Sequence, residues 1–134
     1  MVAIDRDGGT KTIRKMLNKV NSKLILGNSI IIFPEGSRGK PGVMQRFRKG
    51  AVKFSMGLDV PILPAAIIGA DKAWPKGEKW MQSVPITVKI LPKVDPPKTD
   101  KLSKTAYTKA LSSQTKELET KITKAVKDLE EAMH

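Results

Sequence analysis

The sequence predicts an α/β fold, with a partial mixed or parallel sheet, crossover helices and a long C-terminal helix. Three observations carry that expectation. Apolar runs alternate with stretches of helical periodicity along the first 92 residues, the pattern of strands joined by helical crossovers. Proline and glycine punctuate the ends of those runs. From Ser103 onward, Tyr107, Leu111, Leu118, Ile122, Val126 and Leu129 fall along one stripe of a single helix. A chain of 134 residues has room for one hydrophobic core.

Taken in order, Thr10 is placed to cap a helix running to Leu26, in which Ile13, Met16, Leu17, Val20 and Leu24 keep helical spacing before Gly27-Asn28 stops it. Residues 29 to 33, with three isoleucines and Phe33, read as a strand buried on both faces. Pro34 cannot donate to a sheet ladder, so the chain leaves the sheet there. Residues 34 to 46 then form an irregular loop containing Gly36, Gly39, Pro41 and Gly42, followed by a short helix from about Arg48 to Met56 that stops at Gly57. Ile62 to Ile68 reads as a strand bent or edged by Pro61 and Pro64, residues 70 to 84 as a loop, and Ile86 to Leu91 as a further strand. A Pro-rich linker over 95–102, with Pro96-Pro97, separates this part from the helix of 103–134, whose stripe is expected to pack on the core.

Net charge is +12, and its placement is more telling than its size. Residues 1 to 57 hold twelve Lys or Arg against Asp5, Asp7 and Glu35, whereas residues 95 to 134 hold eight lysines against seven acids. A positive field over the first half would concentrate phosphate-bearing ligands and hold the protein at an anionic membrane surface. Plain solubility is the competing reading of such a surface. Nucleic acid is not expected: aromatics are 4% of the chain and are not interleaved with the basic residues where they could stack bases. No apolar run is long enough to span a bilayer and no secretory signal pattern opens the chain, so the expected location is cytoplasmic and peripheral to a membrane. With no cysteine and one histidine, neither thiol chemistry nor a zinc or haem site is expected.

The most pointed motif is Phe33-Pro34-Glu35-Gly36-Ser37-Arg38, which sets a carboxylate, a glycine, a hydroxyl and a guanidinium at the exit of an apolar run. In open α/β sheets that edge is where ligands bind. The alternative is a turn in which Pro34 and Gly36 serve only the backbone. Two other chemistries fail on spacing. Ser37 lies in Glu-Gly-Ser-Arg-Gly rather than the Gly-x-Ser-x-Gly of a nucleophile elbow, and Pro34 stands where a Walker loop needs glycine.

This motif resembles the Phe-Pro-Glu-Gly-Thr-Arg signature of the glycerolipid acyltransferases, the family of 1-acyl-sn-glycerol-3-phosphate acyltransferase. Three more blocks agree in order: Val2-Ala3-Ile4-Asp5-Arg6 resembles the family's strand ending in Asp-Arg, Phe47-Arg48-Lys49-Gly50 its basic pair and glycine, and Val60-Pro61-Ile62-Leu63-Pro64 its Val-Pro-Ile-Val-Pro. The resemblance covers residues 1–94, and it implies transfer of a fatty acyl group from acyl-CoA or acyl carrier protein to 1-acylglycerol 3-phosphate, with no cofactor. It also implies which residues meet the acceptor. Arg6 and Arg38 would bind phosphate, converging on one headgroup, because guanidinium is bidentate and stays charged. Glu35 would accept bonds from Arg6 or Arg38, or from the glycerol hydroxyl; Gly36 would permit close backbone approach, and Ser37 would bond a phosphate oxygen or cap the turn. Arg48 and Lys49 are secondary candidates, with a solvated helix start as the alternative.

The family's base lies in a His-x-x-x-x-Asp block several tens of residues before Asp-Arg, whereas here Met1 stands four residues before Asp5. The only histidine is His134. The expectation is therefore a chain that keeps the phosphate-binding motifs without a catalytic residue of its own, its partners being lysophospholipid, acyl thioester, an anionic membrane surface and the missing N-terminal half of the domain. A noncatalytic module binding anionic lipid is the alternative.

Overall fold

The computed structural model of the protein describes residues 10–133, which divide into two compact units between Ile32 and Phe33. The run over residues 2–6 and His134 lie outside the described residues. In the first unit, α1 spans Thr10–Ile25. Its stop is built by Gly27, at φ 81°, whose amide donates to the Leu24 carbonyl while the Asn28 amide donates to that of Lys23. Those two bonds satisfy carbonyls that the ending helix would otherwise orphan.

The second unit holds α2 (Gly50–Leu58), β1 (Ala65–Ile68), α3 (Ala70–Ala73), β2 (Thr87–Ile90) and α4 (Lys104–Ala132). The α/β class holds in a small form. Its sheet has two strands, β1 and β2, paired antiparallel with Ala65 opposite Ile90 and Ile68 opposite Thr87. Ile62 adds a separate bridge to Val94, because Pro64, without an N–H, interrupts the ladder between Ile62 and Ala65. Thus the strand anticipated over 62–68 begins in earnest only at Ala65.

One side of the unit is closed by α4, which packs against β1 and α2. Val52 and Met56 of α2 and Leu111 and Leu118 of α4 form the core, with Ile62, Val94, Tyr107 and Ala110 against it. The first half of the C-terminal stripe, Tyr107, Leu111 and Leu118, therefore packs on the core, whereas Ile122, Val126 and Leu129 are half-buried. Ser103 caps α4 by accepting from the Ala106 amide at 3.2 Å. The linker is strapped down, the Gln114 Nε2 donating to the Asp95 carbonyl at 3.0 Å.

Three local expectations are corrected. Residues 29 to 33 are not a buried strand: Ile31 is 83% and Phe33 72% exposed, and no ladder partner pairs with them among the described residues. A strand is stable only beside another strand, and an apolar run cannot supply its own neighbour. Nor does α2 stop at Gly57. It runs on to Leu58 and ends at Asp59, which takes the left-handed φ of 51° while its amide returns to the Ser55 carbonyl. In the segment anticipated as loop, Ala70–Ala73 makes one helical turn. Among the described residues no helix is long and apolar enough to cross a membrane.

Candidate anion-binding loop

The segment from Pro34 to Arg48 is a loop drawn closed at its neck. The Arg48 amide donates to the Pro34 carbonyl at 2.8 Å, and the Gln45 amide donates to Glu35 Oε2 at 2.7 Å. Gly36 turns the chain at φ 75°, its amide donating to the Phe33 carbonyl at 3.0 Å. Inside the loop the Ser37 hydroxyl donates to Gln45 Oε1 at 3.3 Å. At the tip Gly42, φ 73°, donates its amide to Asp71 Oδ2 at 2.9 Å, which ties the loop to α3.

The loop is also fixed from α4. The amide of buried Phe47 donates to Glu119 Oε2 at 2.7 Å, and Thr123 Oγ1 donates to Met44 Sδ at 3.1 Å. Because a carboxylate is a strong acceptor and Phe47 is shut off from water, the Glu119 bond is the stiffest of these anchors.

Around this frame the charges are arranged unequally. Both carboxylates at the loop, Glu35 and Asp71, accept from backbone amides. The ion pairs among the described residues are Lys93 with Asp95 and Lys121 with Glu117, so neither Arg38 nor Arg48 has an acidic partner there. Arg38 is exposed and lies over the Trp74 ring, its Cζ 4.9 Å from the centroid. Arg48 lies across Gly36: a methyl group added at Gly36 would stand 2.8 Å from Arg48 Nε and 3.0 Å from its Cδ. Among the described residues, the loop thus presents guanidinium groups whose positive charge is not cancelled by an ion-paired carboxylate.

Of the site residues anticipated from the sequence, Glu35, Gly36, Ser37, Arg38 and Arg48 fall within this one loop, with Arg48 against Gly36 and Arg38 over Trp74, whereas Arg6 lies outside the described residues. Glu35 Oε2 is taken by the Gln45 amide rather than by Arg38. The close approach that Gly36 permits is made by Arg48. Lys49 occupies the N-cap of α2, exposed and without a side-chain capping bond. Sequence reasoning passed over Gln45, Trp74 and Glu119. Gln45 sits between two basic or apolar positions with no motif around it, and Glu119 is 72 residues from the amide it holds; only Trp74, in a chain with two tryptophans, carried a signal of its own.

Residues 1–68 match the acyltransferase family model, and the chain belongs to that family. Its similar proteins are more particular. A 1-acyl-sn-glycerol-3-phosphate acyltransferase of Limnanthes douglasii is 36% identical over 94 residues, 70% of this chain and 34% of that protein. One from Pseudomonas aeruginosa is 32% identical over 75 residues, 56% of this chain and 29% of its own. Among solved structures, the 1-acyl-sn-glycerophosphate (LPA) acyltransferase of Thermotoga maritima superposes with a TM-score of 0.68 at 26% identity, covering 90% of this chain and 45% of that one. The chain spans about a third of the length of the curated relatives it matches.

Proposed function

We propose that this chain is the acceptor-binding part of a glycerolipid acyltransferase, which moves a fatty acyl group from acyl-CoA or acyl carrier protein to the free hydroxyl of 1-acylglycerol 3-phosphate. The observation that carries this reading is the division of charge in the 34–48 loop, where the carboxylates hold backbone amides and the guanidinium groups of Arg38 and Arg48 face no acid among the described residues. A phosphate monoester is the ligand that suits such a loop, since it is dianionic and can be met by two planar forks of N–H donors. Arg6 joins them in this reading.

In the reaction the acceptor's hydroxyl oxygen attacks the thioester carbon and its proton passes to a base; the C–O bond forms, the C–S bond breaks, and the leaving thiolate takes that proton from the base. What these residues contribute is position. Arg38 and Arg48 bind the phosphate, the Ser37 hydroxyl turns its one proton from Gln45 Oε1 to a phosphate oxygen, and Glu35 keeps the loop closed through Oε2 while Oε1 accepts from the glycerol hydroxyl. The sequence has no histidine other than His134. Acyl transfer by these 134 residues alone is therefore expected to stay at background.

The test compares the affinity of the 134-residue chain for lysophosphatidic acid and for lysophosphatidylcholine by calorimetry, with Arg38→Ala and Arg48→Ala beside it. Lysophosphatidic acid should bind more tightly, and each substitution should weaken it by roughly 10-fold to 100-fold, the loss of a charge-assisted contact. Equal affinity for the two lipids, or full affinity in both variants, would refute the assignment.

A further inference from the structure

We propose that the segment 74–86 is the surface by which this chain docks on an anionic lipid bilayer, with Trp80 and Met81 entering the headgroup region and Lys72, Lys76 and Lys79 meeting lipid phosphates. This deepens the reading above, whose acceptor and product are lipids, and rests on it for that setting.

Trp80 is 82% exposed, Met81 75% and Ile86 53%, although they are among the most apolar side chains available to the unit. Their exposure is held in place. The Trp74 indole donates to the Glu78 carbonyl at 2.9 Å, the Glu78 amide to the Pro75 carbonyl at 3.1 Å through a turn at Gly77, φ 93°, and the Gln82 amide to the Ala73 carbonyl at 2.7 Å. At the base, Gly69 fits so closely under Pro85 that a Cβ there would collide with the Pro85 carbonyl oxygen. The loop therefore closes on itself at both ends and holds Trp80 and Met81 outward.

The charge around these residues selects the partner. Between residues 72 and 89 four lysines stand against one carboxylate, Glu78, and none of the four is in an ion pair among the described residues. Lysine is depleted at protein–protein interfaces, where its strongly hydrated ammonium resists burial. At a bilayer the same side chain keeps its head among phosphates while its stem lies along the apolar zone, and tryptophan prefers that depth. An apolar tip with a lysine rim thus fits anionic lipid better than it fits a second copy of this chain, which would set lysine against lysine.

The experiment uses the full 134-residue chain with vesicles of phosphatidylcholine alone, or mixed with phosphatidylglycerol, carrying brominated acyl chains. The protein has two tryptophans, so the Trp80 signal is the difference between wild type and Trp80→Phe. Quenching of that component on mixed vesicles only is the expected result. The pair Trp80→Ser, Met81→Ser should lower vesicle partitioning about 10-fold, and Lys76→Gln with Lys79→Gln should lower it roughly 25-fold at low salt, at about 5-fold for each lysine. Vesicle binding with Trp80 unquenched and both variants unaffected overturns this surface but leaves the acyltransferase reading standing. A complete lack of binding to mixed vesicles overturns it as well, and so does a dimer in sedimentation equilibrium that Trp80→Ser dissolves. Intact docking by a chain that binds lysophosphatidylcholine as well as lysophosphatidic acid sinks only the earlier reading.

Discussion

Replacing Glu119 by alanine should loosen a loop that lies 72 residues away in sequence. Glu119 Oε2 accepts from the Phe47 amide at 2.7 Å, and Phe47 is buried, so water cannot easily replace the lost acceptor. A hydrogen bond to a charged group contributes roughly 1.5–3 kcal/mol, and an orphaned buried amide costs a similar amount. A loss of about 2 kcal/mol corresponds to roughly 30-fold in the opening equilibrium of the loop. Native-state amide exchange reads this directly: Phe47 protection should fall by about that factor in Glu119→Ala. Glu119→Gln keeps a neutral acceptor and should lose about half the free energy, a factor of about five. Phe47 protection equal in wild type and Glu119→Ala would show that α4 does not hold the loop.

Further substitutions probe the rest of the unit. Gly36→Ala puts a methyl group at a φ of 75° and against Arg48 Nε, so thermal unfolding should show a loss on the order of 1–3 kcal/mol, with weaker binding of lysophosphatidic acid as Arg48 is pushed aside. Gly69→Ala meets a left-handed φ of 89° and the Pro85 backbone, which cannot swing away as a side chain can; it should cost more than Gly36→Ala in the same melt. Trp74→Ala removes the ring under Arg38, an exposed cation–π contact of about 0.5–1 kcal/mol, and should weaken lysophosphatidic acid binding by two- to five-fold without changing far-ultraviolet circular dichroism.

What the sequence made legible was local in its physics. The end of α1 was readable because Gly27 and Asn28 carry the stop within the turn itself, and α4 because its stripe repeats over many turns and Ser103 caps it. The signature was recognisable from its residue types, and the segment that carries it is a loop closed by the Arg48 amide on the Pro34 carbonyl. Residues 29 to 33 show where such reading stops. Three isoleucines state a preference for burial, but a strand is completed by partners elsewhere, and none pairs with this run among the described residues. Glu35 teaches the same lesson at the site. A carboxylate beside an arginine in sequence suggests an ion pair, yet the loop folds back so that the Gln45 amide arrives first. Glu119 left no trace at all, since an acid on an exposed-looking helix position resembles any solvated acid until the loop is laid against it.

The central claim is that the guanidinium groups of the 34–48 loop receive a lipid phosphate. Titration of the isotope-labelled chain with lysophosphatidic acid, followed through the backbone amides of Gly36, Ser37 and Arg38 and the Nε signals of Arg38 and Arg48, tests it most directly. Saturable shifts concentrated at those five positions are the predicted outcome. Shifts confined to the lysines of α4, with the loop signals unmoved, would contradict it.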